Sequence, residues 1–294
     1  MTDKPSREGY VPVPGGRVWY RVVGTNDGVP LLLLHGGPGL GSDYFGPLEA
    51  LSDERPVIRY DQLGGGKSDQ SGDTSLWTIE RFVEELAQVR VDLNLAPVHI
   101  LGHSWGTMLA VAYMLTQPAD VLSLILSSPV FNTPRFESDL VKLRNQLPAD
   151  VQQVLNHHET IGTTDSVEYQ TAVMEFYRRH LCRLEWLLDI IQEGMTEGQE
   201  PPVYQYMWGS RIFTITGPLK DYDYISRLQE IAIPTLFTCG RYDQCTPETT
   251  GWYQSLIAGS EMVVFEQSTH MPHLEETDDY LQVVRDFIHS VEEQ

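Results

Sequence analysis

Apolar and polar positions along this chain follow two spacings. Short, almost wholly apolar runs are typical of strands buried on both faces of a parallel sheet, and longer stretches with apolar residues three or four apart are typical of amphipathic helices. The two kinds of segment alternate, which favours βαβ units. The predicted strands are an opening hairpin of Tyr10–Val13 and Arg17–Val23, then Leu31–Leu34, Val57–Tyr60, Val98–Leu101, Val121–Leu126, Pro234–Cys239 and Met262–Phe265, and the predicted helices are Thr78–Leu93, Trp105–Leu115, Glu248–Ile257 and Asp278–Val291.

The alternation stops between residues 131 and 227. This segment contains helical stretches such as Val167–Trp186 and no convincing strand. We therefore predict an α/β fold, a mostly parallel central sheet flanked by helices, with residues 1–130 and 228–294 as its core and 131–227 as an inserted helical lid. Ligands of such sheets bind beyond the carboxyl ends of the strands, where a lid would lie. A plain second helical domain is the alternative.

The sequence Gly102-His103-Ser104-Trp105-Gly106 lies between a predicted strand and a predicted helix. A serine at such a turn is held in a strained conformation, and the residues two positions before and after it must lack bulky side chains. The helix that follows points backbone N–H groups and the positive end of its dipole towards developing negative charge. We predict Ser104 as a nucleophile; an incidental serine in a tight turn is the alternative.

Two further polar residues follow predicted strands of the same sheet. Asp243 comes shortly after Pro234–Cys239, and His270 follows Met262–Phe265. The chain order Ser, Asp, His is that of α/β-hydrolases. A serine hydroxyl needs a base to take its proton, and a carboxylate fixes the tautomer of that base. The sequence therefore predicts a catalytic triad of Ser104, His270 and Asp243.

The glycine-rich segment His35–Gly39 follows another predicted strand. Its glycines allow the backbone to approach a substrate closely, and the N–H groups of Gly37 and Trp105 are predicted to form an oxyanion hole. A simple turn is the alternative.

A metal site is not predicted. His273 lies three residues after His270, but no cysteine or further histidine lies nearby in the sequence to complete a ligand set. Glu275 and Glu276 fit the acidic start of the last helix. No other cofactor motif is present, so no cofactor is expected.

Composition limits the classes of partner. The chain has 20 basic and 41 acidic residues, a formal net charge of −21, and such a surface repels nucleic acid and anionic membranes. No apolar run approaches the roughly 20 residues needed to span a bilayer. The N-terminus lacks the order of a secretory signal, and the three cysteines form no CxxC pair. We expect a cytoplasmic protein that acts on a small molecule or a short peptide.

Three motifs together resemble the proline iminopeptidases: His35–Gly39, Asp61–Ser68 and Gly102–Gly106. The resemblance extends from about residue 10 to the C-terminus. It implies an α/β-hydrolase that removes N-terminal residues, often proline, from short peptides through an acyl-enzyme on Ser104. The segment Phe213–Gly217 is particularly similar to the archaeal tricorn-interacting aminopeptidase.

The resemblance fails at two positions that determine substrate specificity in the archaeal enzyme. In the archaeal enzyme two glutamates hold the α-ammonium of the peptide, and the corresponding residues here are Ile212 and Gln244. Neither can form the charge-assisted hydrogen bonds of a carboxylate, although Glu200 or Asp221 could replace them. An aromatic cluster in the same segment could add cation–π contacts. The predicted substrate-binding residues are Tyr204, Tyr206, Trp208, Ile212, Phe213 and Gln244.

Three functions remain open at this point. The resemblance favours hydrolysis of a small amide or peptide bond. An esterase or lactonase acting on a neutral small molecule would use the same triad without recognising an ammonium. A ligand receptor with a hydrolase-like pocket is disfavoured, because all triad positions are filled.

Overall fold

The computed structural model describes residues 5–196, 201–209 and 212–293. The strands are β1 (Ser6–Val13), β2 (Gly16–Val23), β3 (Leu31–Leu34), β4 (Val57–Tyr60), β5 (Val98–His103), β6 (Val121–Ser127), β7 (Thr235–Gly240) and β8 (Glu261–Phe265). The α-helices are α1 (Ile79–Asp92), α2 (Trp105–Met114), α3 (Thr133–Arg144), α4 (Ala149–Ile161), α5 (Val167–His180), α6 (Glu185–Thr196), α7 (Pro202–Met207), α8 (Pro247–Gln254), α9 (Pro272–Glu275) and α10 (Thr277–Glu292). A longer 3₁₀ segment covers Asp43–Asp53.

The strands form one sheet in the order β1-β2-β4-β3-β5-β6-β7-β8. β2 pairs antiparallel with β1 and β4, whereas every neighbouring pair from β4 to β8 is parallel. The six predicted parallel-type runs and the observed strands differ by at most two residues at either end. The opening hairpin and the α/β fold class are confirmed.

Both faces of the sheet are covered, as β3 illustrates. Its four leucines are fully buried. Leu32 and Leu34 pack in the larger apolar core with α1 and α2, and Leu31 and Leu33 pack in a second cluster with α10. Because successive strand residues point to opposite faces, a strand covered on both sides must be apolar at every position.

The segment between β6 and β7 contains α3 to α7. Among its described residues there is no strand, only an isolated bridge between Asn132 and Asp223. Its action as a lid stays a prediction. Within the described ranges, no helix combines the length and apolarity needed to cross a bilayer.

One helix prediction in this insertion is wrong in detail. The stretch Val167–Trp186 is two helices, because α5 ends at His180 and α6 begins at Glu185. The turn between them buries Cys182, whose N–H bonds to the Tyr177 carbonyl. An apolar pattern alone does not show such a turn, since both helices keep the same spacing on either side of it.

Candidate active site

Ser104 lies at the turn between β5 and α2. Its backbone has φ 54° and ψ −120°, a strained conformation for a residue with a side chain. A Cβ at Gly102 would overlap the Gly106 carbonyl, and one at Gly106 would overlap the Leu34 carbonyl. Both positions therefore require glycine, and the spacing of the motif follows from the tightness of the turn.

Asp243 and His270 lie on the loops after β7 and β8 and are buried. His270 Nδ1 lies 2.8 Å from Asp243 Oδ1, which also accepts the Cys245 N–H at 2.7 Å. A carboxylate oxygen only accepts hydrogen bonds, so Nδ1 carries the hydrogen. The lone pair of the imidazole is then on Nε2, the atom that a general base uses.

Two carboxylates anchor the loop that carries His270. Glu275 accepts the Thr269 N–H and the Arg183 N–H, each at 2.6 Å. Glu276 accepts the Gln267 N–H at 3.0 Å. The sequence predicts both as the acidic start of the last helix; Glu276 is the N-cap of α10, whereas Glu275 ends α9, and both side chains bind the preceding loop.

The loop of residues 35–39 lies beside the nucleophile, since a Cβ at Gly36 would be 3.3 Å from Ser104 Cβ. His35 Nε2 accepts the Gln62 N–H at 2.9 Å, so Nδ1 carries the hydrogen and donates to the Gly36 carbonyl at 2.7 Å. Burial lowers the pKa of His35, which keeps this neutral form. The Gly36 carbonyl and the Gly37 N–H belong to one trans peptide group and point in opposite directions. His35 therefore orients the Gly37 N–H.

One group of side chains in the described residues could hold a metal ion by proximity. Ligand atoms of Asp243, Cys245 and His270 lie within 4.8 Å of one another. Asp243 and His270 already bond to each other, and burial raises the pKa of the Cys245 thiol well above its usual range. A protonated thiol is a poor ligand, so the chemistry of this group disfavours a metal.

His273, the histidine weighed as a partner of His270, has a different environment. Its ring packs 5.0 Å from the His103 ring, and neither of its nitrogens has a hydrogen-bond partner in the described part of the chain. Burial lowers its pKa to about 3. It is therefore a neutral packing residue.

Helix α7 covers the glycine-rich loop. A Cβ at Gly39 would overlap Val203 of this helix and would come 3.1 Å from Pro201 Cβ. Tyr204 and Tyr206 also lie on α7; Tyr206 is exposed, and its ring packs 5.3 Å from the Trp77 ring. The insertion thus reaches the predicted oxyanion loop.

The other predicted substrate-binding residues pack within the insertion or against the Asp243 loop. Trp208 and Phe213 are buried, with ring centroids 5.9 Å from Phe136 and 4.9 Å from Phe176, respectively. Ile212 packs at the edge of the larger core, and the Gln244 N–H donates to the His180 carbonyl at 3.1 Å. Their contacts with substrate stay predictions. Asp221 is exposed beside Lys220, and Glu200 lies outside the described residues.

Known proteins are similar to this chain in sequence and in fold. Residues 29–277 match a family model described as the α/β hydrolase fold. A proline iminopeptidase of Heyndrickxia coagulans is 48% identical over 285 residues, which are 97% of this chain and 99% of that protein. The chain belongs to the proline iminopeptidase family of α/β-hydrolases. The predicted resemblance is confirmed.

Two solved structures are similar to this chain in both fold and sequence. A proline iminopeptidase of Mycobacterium smegmatis has a TM-score of 0.89 at 33% identity and covers 97% of this chain and 98% of its own. The crystal structure of VinJ has a TM-score of 0.91 at 35% identity, with 98% and 99% covered. Membership of the iminopeptidase family confirms the predicted class, an aminopeptidase-like hydrolase, over the esterase and receptor alternatives.

Several residues that shape this site are not predicted from the sequence. Gln62 and the side chain of Glu275 orient the loops, and Tyr44 contacts both Gly36 and His103. The motif Asp61–Ser68 contained a signal for Gln62, because it belonged to the family resemblance. Nothing in the apolar pattern marked Tyr44 or Glu275.

Proposed function

We propose that this protein is a serine aminopeptidase that releases an N-terminal residue, proline foremost, from a short peptide or amide. One observation supports this above the others. A serine in a strained turn and a buried, hydrogen-bonded histidine–aspartate pair each follow strands of one sheet, in a chain 48% identical to a proline iminopeptidase.

Ser104 is proposed as the nucleophile, and His270 Nε2 as the base that takes its proton during attack on the scissile carbonyl carbon. The oxyanion that forms would accept hydrogen bonds from the Gly37 and Trp105 N–H groups. His270 then returns the proton to the leaving amine, which departs and leaves an acyl group on Ser104. A water attacks the acyl carbon while the same imidazole takes its proton. The acyl group leaves as the free acid, and the imidazolium, stabilised by Asp243, returns the proton to Ser104 Oγ.

Recognition of the substrate amine is proposed to be weaker than two carboxylates would provide. An ammonium brought into a covered site loses hydration at a cost of several kcal/mol unless carboxylates replace the water. Ile212 and Gln244 carry no charge. Glu137 lines an open surface depression together with Phe213, and it already accepts the Ile215 N–H.

The nucleophile is tested with Ser104→Ala and with a fluorophosphonate. The variant should fold like the wild type and lose several orders of magnitude in kcat. Peptide mapping should find the fluorophosphonate on Ser104. Full activity of the alanine variant would refute the serine mechanism.

Substrate choice is tested by kcat/KM for prolyl-p-nitroanilide and its N-acetyl counterpart. We expect the free amine to be preferred by less than about a hundredfold, which corresponds to about 2.7 kcal/mol of amine recognition. Gln244→Glu should raise the preference, whereas Gln229→Glu, the same change at an exposed position, should not. A larger preference in the wild type would contradict the proposal and direct mutagenesis to Glu137, Glu200 and Asp221. Activity confined to p-nitrophenyl esters or lactones would favour an esterase.

A further inference from the structure

A chain of hydrogen bonds links three loops of the proposed site. The Gly36 N–H donates to Tyr44 Oη at 2.7 Å, and Tyr44 Oη lies 3.0 Å from His103 Nδ1. His103 Nε2 lies 2.8 Å from the His270 carbonyl oxygen. Tyr44 lies in the 3₁₀ segment Asp43–Asp53, outside the loops that it joins. The mechanism above uses neither Tyr44 nor the His103 side chain.

The direction of every bond in this chain is determined. A backbone N–H only donates, so Tyr44 Oη accepts from Gly36. A carbonyl only accepts, so His103 Nε2 carries the hydrogen that bonds to the His270 carbonyl. Burial lowers the pKa of His103 well below its usual range, so the imidazole is neutral, Nδ1 carries the lone pair, and the Tyr44 hydroxyl donates to it.

Each end of the chain is adjacent to a reacting group. Gly36 precedes Gly37, a proposed oxyanion donor, and His103 precedes Ser104. The carbonyl at the far end belongs to the base itself and receives a second hydrogen bond from Ser128 Oγ at 3.2 Å. We infer that Tyr44 and His103 are positioning residues that fix the positions of the oxyanion loop, the nucleophile and the base relative to one another. This inference rests on the proposed function.

Loss of one bond in this chain should slow the reaction more than it weakens binding. Tyr44→Phe leaves the Gly36 N–H without its acceptor and His103 Nδ1 without its donor, and both are buried. Misplacement of a catalytic group by about 1 Å costs about a hundredfold in rate. We therefore expect Tyr44→Phe to react about 10- to 100-fold more slowly once the reagent is bound.

The test is labelling of Ser104 by a fluorophosphonate, which requires no knowledge of the substrate. Its maximal rate kinact should fall in Tyr44→Phe and His103→Leu, while the half-saturating concentration KI stays within about threefold. The double variant should be no slower than the slower single variant, because residues acting as one unit do not add. His103→Gln, which keeps an acceptor and a donor, should recover part of the rate lost in His103→Leu.

A matched control is Tyr60→Phe. Tyr60 is buried, and its hydroxyl has no hydrogen-bond partner among the residues described, so the labelling rate of Tyr60→Phe should equal that of the wild type. All rates are measured well below each variant's thermal midpoint, so that only folded protein is compared. If Tyr44→Phe does not fold, the comparison of His103→Leu with His103→Gln tests the positioning role by itself.

The possible outcomes separate this inference from the proposed function. An unchanged kinact in the folded variants, a change confined to KI, or losses that multiply in the double variant would each overturn the positioning role. A wild-type protein that the fluorophosphonate does not label would instead refute the serine mechanism.

Discussion

Acid should destabilise this protein through His273, an imidazole that takes no part in the proposed triad. Its ring packs against Tyr44, Phe45 and His103, with centroids 5.4, 5.5 and 5.0 Å away. Burial, with a smaller contribution from the charge of His270, lowers its pKa from 6.5 to about 3. In the unfolded chain the same imidazole titrates near its ordinary pKa of 6.5.

The sign of the effect follows from linkage. A base that is harder to protonate in the folded state stabilises that state fully above its unfolded pKa, and this contribution is lost as the pH falls from 6.5 towards 3. Between pH 7.5 and pH 5, protonation favours the unfolded chain by about 2 kcal/mol, because pH 5 lies about 1.5 pH units below the unfolded pKa. This free-energy difference stays at about 2 kcal/mol for any folded-state pKa of His273 below about 4.

The assay is urea denaturation of the wild type and His273→Leu at pH 7.5 and pH 5. Leucine suits the site, since its neighbours are aromatic and no hydrogen bond of the described residues is lost. When the pH is lowered from 7.5 to 5, the free energy of unfolding should fall in both proteins. The fall should be about 2 kcal/mol smaller in His273→Leu than in the wild type. His157→Gln, at an exposed position on α4, is the control and should behave like the wild type. Equal losses in His273→Leu and the wild type would refute the reasoning.

Two further substitutions test the site. His270→Ala should lower kcat for prolyl-p-nitroanilide about as much as Ser104→Ala, because the base and the nucleophile act as one unit. His273→Leu should keep most of the activity. A larger loss in His273→Leu than in His270→Ala would show that the base is assigned wrongly. Gly106→Ala should cost about 3 kcal/mol or more in urea denaturation, since its Cβ would overlap a backbone carbonyl. Gly46→Ala, whose Cβ would meet nothing within 4 Å, should be nearly neutral, and similar losses in both would contradict the overlap argument.

The sequence was sufficient to predict the sheet and the residues at its carboxyl edge. Strands buried on both faces must be apolar at every position, so runs such as Leu31–Leu34 are visible without a structure. The glycines around Ser104 are required by a local turn, and local requirements appear as fixed spacings. Asp243 and His270 could be proposed because each follows a strand of the same sheet.

Tertiary structure alone decided which distant polar groups meet. Tyr44 and His103 are 59 positions apart, His103 and the His270 carbonyl 167, and Arg183 and Glu275 92. Such contacts depend on the paths of loops, which have no periodic pattern to reveal them. The turn that separates α5 from α6 is likewise set by the burial of Cys182. Local sequence therefore determined the strands and most of the helices and predicted the candidate triad, while packing between loops determined how the histidine–aspartate pair is held.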